Sequence, residues 1–68
     1  MSYYTDDELM DAVRKQLSSD GNFRRQVEEA VNARWTAQLR KLIVDVAESY
    51  FGRFIGSRVD AILEWFLN

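Results

Sequence analysis

Cysteine and histidine are both absent from this chain. Without cysteine no disulfide can form. Without either residue, a transition-metal site built from nitrogen and sulfur ligands is excluded. Thiol and imidazole catalysis go with them, so proton transfer or nucleophilic attack would fall to carboxylates, hydroxyls or lysines. Proline is missing too, and glycine occurs only at Gly21, Gly52 and Gly56. Chains with so few turn residues rarely make many-stranded sheets. No long hydrophobic run is present either. Charges interrupt every apolar stretch well short of the roughly 20 residues that a membrane-spanning helix needs.

What is present describes a folded protein. Hydrophobic residues make up 47% of the 68 positions and aromatics 13%, while the formal net charge is only −2, a balance unlike that of disordered chains. The length allows one domain, spanning residues 1–68. Chains this short bury only about 60% of the surface that their unfolded form exposes, which leaves them marginal alone. With no disulfide and no metal to add, self-association is the remaining supplement. The opening Met1-Ser2-Tyr3-Tyr4, followed by acids, reads as no export leader, and a cytoplasmic location is expected.

The periodicity predicts an all-α protein of three helices, short–long–short, over about 5–19, 22–51 and 57–67. Thr5-Asp6-Asp7-Glu8 fits a capping box at the first helix start, and its acids complement the helix dipole. Leu9, Val13 and Leu17, joined by Met10, supply the apolar stripe. Ser18-Ser19-Asp20-Gly21-Asn22 reads as the stop, with Gly21 in a left-handed position and Asp20 or Asn22 capping the next helix. Ser57 is the expected cap of the last helix, whose face carries Val59, Ile62, Leu63 and Phe66, broadened by Trp65 and Leu67.

Between Asn22 and Gly52 stands no glycine or proline. About thirty helical residues would extend roughly 45 Å, against a diameter of roughly 28 Å for a compact chain of this size. Such a helix would protrude from its own monomer. Its apolar stripe also changes sides. At about 100° per residue, Phe23, Val27, Ala30, Val31 and Trp35 share one side, opposite Arg25, Glu29 and Asn32. From Leu39 onward the arrangement inverts. Leu39, Leu42, Ile43, Val46, Ala47, Tyr50 and Phe54 then occupy the formerly polar face, and Lys41, Asp45 and Glu48 the formerly apolar one. The pattern requires either a bend around Arg34–Gln38 or different neighbours for the two halves. A homodimeric helical bundle satisfies the second condition, with Trp35, Leu39, Leu42, Val46, Tyr50 and Phe54 as the expected contacts.

No constellation with defined chemistry emerges, so no catalytic, metal or cofactor residues are assigned and the chain is read as a non-enzyme. Glu28 and Glu29 are sequence neighbours and point about 100° apart on a helix. Arg24 with Glu28 and Arg25 with Glu29 instead stand at surface-pairing distance. The acids Asp6, Asp7, Glu8 and Asp11 lack the glycine and closing glutamate of a calcium loop. Arg24, Arg25, Arg34, Arg40 and Lys41 are the residues that would contact an anion or nucleic acid. The net negative charge and the acidic first helix disfavour that partner. Membrane attachment through the aromatic C-terminal part is disfavoured by Asp60 and Glu64. The function expected from sequence is therefore a small protein–protein interaction module, acting as a homodimeric adaptor, assembly factor or regulator, with nucleic-acid-associated regulation as the alternative.

Overall fold

The computed structural model describes residues 4–68, so the opening Met1-Ser2-Tyr3, read above as no export leader, lies outside the described part. The described chain is all-α, as the periodicity requires. It has four helices rather than three: α1 (Asp6–Ser19), α2 (Gly21–Ala33), α3 (Thr36–Phe51) and α4 (Gly56–Leu67). The expected long helix is divided at Arg34 and Trp35.

The division resolves the inverted apolar stripe. The backbone N–H of Arg34 donates to Val31 O (3.3 Å) and that of Trp35 to Ala30 O (2.8 Å), the two crossed bonds of a Schellman stop. Such a stop places its penultimate residue in the left-handed region, and Arg34 has φ 59° and ψ 38°. Trp35 follows with φ −81° and ψ 77°, and the Thr36 N–H reaches back to Arg34 O (2.9 Å). That is an inverse γ-turn. Two residues thus reverse the chain. Phe23, Val27 and Ala30 of α2 and Leu39, Leu42, Ile43, Val46 and Ala47 of α3 then enter one core.

With the long helix divided, no described helix protrudes from the chain. The radius of gyration is 11.1 Å, the value expected of a compact chain of this length, near 11 Å. Both stripes that were read as needing separate neighbours are covered within the chain, except for Trp35, Tyr50 and Phe54 at their ends, which stay exposed.

At the start of α1 the expected capping box is present: the Thr5 N–H donates to Glu8 Oε1 (2.8 Å) and the Glu8 N–H to Thr5 Oγ1 (3.2 Å). Between α1 and α2 only Asp20 intervenes. Its carboxylate accepts from the backbone N–H groups of Asn22 and Phe23, both at 3.1 Å, and from Gln16 Nε2 at 3.1 Å. Asp20, not Asn22, is therefore the cap, and Gly21 is the first residue of α2 rather than a left-handed terminus. Asp20→Ala should lower stability by about 1–2 kcal/mol, because it orphans helix-start donors. A urea midpoint unchanged by the substitution would remove the cap from this account.

Gly52 ends α3 with φ 74°, a region glycine enters without steric cost. The chain then returns through Arg53–Ile55 into α4, which starts at Gly56 with Ser57 already inside the helix and no side-chain cap. The loop is held by Tyr4, whose ring stacks on Phe51 at 4.3 Å and whose hydroxyl accepts the Ile55 N–H. α1 and α3 each pack against the other three helices, while α2 and α4 barely meet. The flanking helices thus cover opposite sides of the α1–α3 pair. They leave one side of α3 to solvent.

Candidate functional site

The uncovered side of α3 is set by helical periodicity. With Leu39, Leu42, Ile43, Val46 and Ala47 buried, Ala37, Lys41 and Glu48 face out fully and Val44 is half-buried beside them. Spacings of four, three and four keep these four side chains within about 60° around the helix. They form a low ridge with one small apolar group at its end, one at its middle, and a charge on each side of the middle.

One aromatic ring borders the ridge and another stands exposed at the start of α3. Trp35, 55% exposed, lines a hollow of about 390 Å³ with Gln26 and Glu29 of α2 and Gln38 of α3. The left-handed Arg34 and the γ-turn put it there, since a continued helix would have turned position 35 toward the α2 stripe. Phe54, 46% exposed, lines a hollow of about 360 Å³ with Ala37, Arg40, Lys41 and Val44. It sits in the loop that Gly52 and Tyr4 position.

The six contacts expected from sequence do not share one surface. Leu39, Leu42 and Val46 belong to the chain's own core, because the division at Arg34 turns their stripe inward. Tyr50 is exposed, but on another side of the molecule: it lines a hollow with Glu8, Asp11, Lys15 and Phe51, and its hydroxyl lies 3.5 Å from Gln16 Oε1. Trp35 and Phe54 remain as surface groups flanking α3.

The five cations considered for an anion or nucleic acid are dispersed among intrachain duties. Arg25 approaches Glu29 at 3.9 Å, the expected four-apart pair, and bonds Asn22 at 3.3 Å. Arg34 Nη1 donates to Leu67 O at 2.6 Å, where the carbonyl end of α4 carries negative potential. Arg40 Nε meets Asp60 Oδ1 at 3.2 Å, tying α3 to α4. Arg24 is exposed near the start of α2, and Lys41 stands on the α3 ridge. The corresponding pair of Arg24 with Glu28 is not among the salt bridges formed by the described residues.

Sequence reasoning missed three surface groups. Trp65 was assigned to the packed face of α4, yet it is exposed, with the Arg14 guanidinium 6.0 Å from its ring centroid. The wheel carries that signal, since position 65 lies about 90° from the centre of the Val59, Ile62, Phe66 stripe. Ala37 and Val44 were passed over because one is small and the other stands alone among polar neighbours. Only the covered stripe opposite them defines the ridge.

Comparison with known proteins adds no relative: no family model, curated protein or solved structure matches this chain. Among the described residues, no three acidic side chains converge to hold a metal ion, and no helix is long and apolar enough to cross a membrane.

Proposed function

We propose that this chain is a small helical protein–protein interaction module that docks through the outward face of α3. The observation that carries the reading is the pair of exposed rings, Phe54 bordering the ridge at Ala37, Lys41 and Val44 and Trp35 at the α2–α3 corner beside Gln38, while the core closes without either of them. Burying two such rings on association offers roughly 1.5–3 kcal/mol each, enough to anchor a modest interface. Nucleic-acid-associated regulation finds less support. Of the five cations it would use, Arg25, Arg34 and Arg40 are already engaged within the chain, and the remaining two stand on different helices.

The test is a paired substitution that alters the face and spares the core. Trp35→Glu with Phe54→Glu should leave the helical circular-dichroism signal and cooperative melting intact, because both rings are half-exposed. In gentle extracts of cells producing the tagged chain, the wild type should elute well above its own mass and the double variant at the mass of the free chain. Identical elution of the two would sink the reading. Retention on DNA that falls with salt and is lost in Arg24→Ala/Arg25→Ala would favour the nucleic-acid alternative instead.

A further inference from the structure

We propose that the outward face of α3 receives a second copy of this chain, the two α3 helices lying antiparallel across a two-fold axis near Val44 with Lys41 of each facing Glu48 of the other. The inference rests on the docking face proposed above and names its occupant.

The charge order along the ridge points to this occupant. Ala37, Lys41, Val44 and Glu48 follow one another by four, three and four residues. That is the spacing of a helix seam which packs against another helix by interdigitating side chains. Lys41 and Glu48 are opposite charges, seven residues or about 10.5 Å apart along the helix, and Val44 lies between them. Among the described residues no salt bridge engages either one.

A parallel second helix in register would set lysine against lysine. An antiparallel one, related by a two-fold between positions 44 and 45, sets Lys41 against Glu48 of the second copy and Glu48 against its Lys41. It also brings the two Val44 side chains together at the axis. The same register lays Ala37 over Gly52 of the second copy, so the helix ends meet through a methyl group and a residue with no side chain. At Gly52 even an added Cβ would have open space around it. The Phe54 ring walls the hollow beside Lys41 and Val44, giving the incoming ridge an apolar edge to pack on.

Other occupants fit this face less well. An acidic helix would gain at Lys41 and lose at Glu48, and a basic one the reverse. Along the ridge one charge of each sign stands on either side of an apolar centre, while exposed Asp45 is turned off it to line a hollow with Gln16 and Phe23, so the ridge is complementary to itself. Self-complementarity of one patch is the condition for a closed two-fold dimer.

Charge exchange tests this directly, by sedimentation equilibrium of the whole chain. The wild type should pass from one chain to two as concentration rises, and more weakly at high salt. Lys41→Glu and Glu48→Lys, both at exposed positions, should each weaken the dimer roughly thirty-fold. Each breaks two ion pairs and creates two like-charge contacts. The double variant Lys41→Glu/Glu48→Lys restores both pairs and should return to within roughly threefold of wild type. Circular dichroism verifies that all three variants fold, and the salt series on the wild type requires no variant at all.

A wild type that stays a single chain up to about 1 mM overturns the inference; the docking face then belongs to another protein if the Trp35/Phe54 elution test still succeeds. A dimer indifferent to both single exchanges, or a double variant no better than the singles, overturns the two-fold arrangement and leaves the interaction reading in place. If the elution test fails as well, both readings fall together.

Discussion

Ile43→Ala is expected to remove about 3 kcal/mol of stability and lower the melting midpoint by on the order of 15 °C. Ile43 is fully buried in α3, one of the two helices that pack against all the others. Truncation there loses the transfer energy of the removed methylenes and leaves a cavity that four helices cannot all close. The scale of the effect comes from size. A domain of this length holds roughly 3–10 kcal/mol in total, so one core residue accounts for a large share. Urea unfolding checks the expectation: the midpoint should fall with the slope unchanged. A loss below about 1 kcal/mol would mean that the site collapses freely or that position 43 is not at the centre of the core. The same cost is expected at Leu39, which the sequence pattern assigned to an interface and the fold places in the core. A deficit at Leu39 that vanished on dilution would instead return it to an interface.

The second large effect is a reversal of sign at position 34. Arg34 holds a left-handed backbone, a conformation that costs a residue with a Cβ about 1–2 kcal/mol relative to glycine. Arg34→Gly should therefore be more stable than Arg34→Ala by about 1 kcal/mol. Both variants lose the bond to Leu67 O, so that contribution cancels between them. Were residues 22–51 a continuous helix, alanine would exceed glycine by about 1 kcal/mol instead. The swing between the two structures is thus about 2 kcal/mol with opposite signs, well outside the error of a denaturant titration. Arg34→Val should be worse than either, because a β-branched side chain is poorly tolerated at positive φ. Alanine above glycine would refute the four-helix division.

The reason arginine stands at this position is legible in the fold. A glycine would make the turn more easily, but it could not reach across to α4. The guanidinium donates to Leu67 O at the end of α4, joining the α2–α3 corner to the far end of the chain. The residue that strains the backbone locally also ties down the end of α4.

Much of the fold was legible because helical signals are local. The capping box at Thr5, the stop at Asp20–Gly21, the turn at Gly52 and the apolar stripe of each segment all depend on residues within a turn or two of one another. Their positions in the structure follow those local rules, although an extended Asp20 rather than a left-handed Gly21 ends α1 and Ser57 lies inside α4 without capping it. The half-turn inversion of the stripe around Arg34 was legible as well, and it identified where the chain had to change course.

Whether that inversion would be met by a break or by two partners was not legible, since neither Arg34 nor Trp35 carries the glycine or proline that ordinarily marks a stop. The cost of a left-handed arginine is about 1–2 kcal/mol. Burying five apolar residues of α3 together with three of α2 in one core returns several times that amount. Only the summed tertiary contacts make the comparison.

The candidate site divides along the same line. Exposure of Trp35, Phe54 and Trp65, and the alignment of Ala37, Lys41, Val44 and Glu48 on a free ridge, depend on which sides α2 and α4 cover. Helical segments, their amphipathic stripes and the all-α class were determined by the sequence alone, through interactions a few residues long. The corner at Arg34, the side of α3 left to water and the groups standing on it were decided by packing, because burial is a property of the assembled helices and not of any one of them.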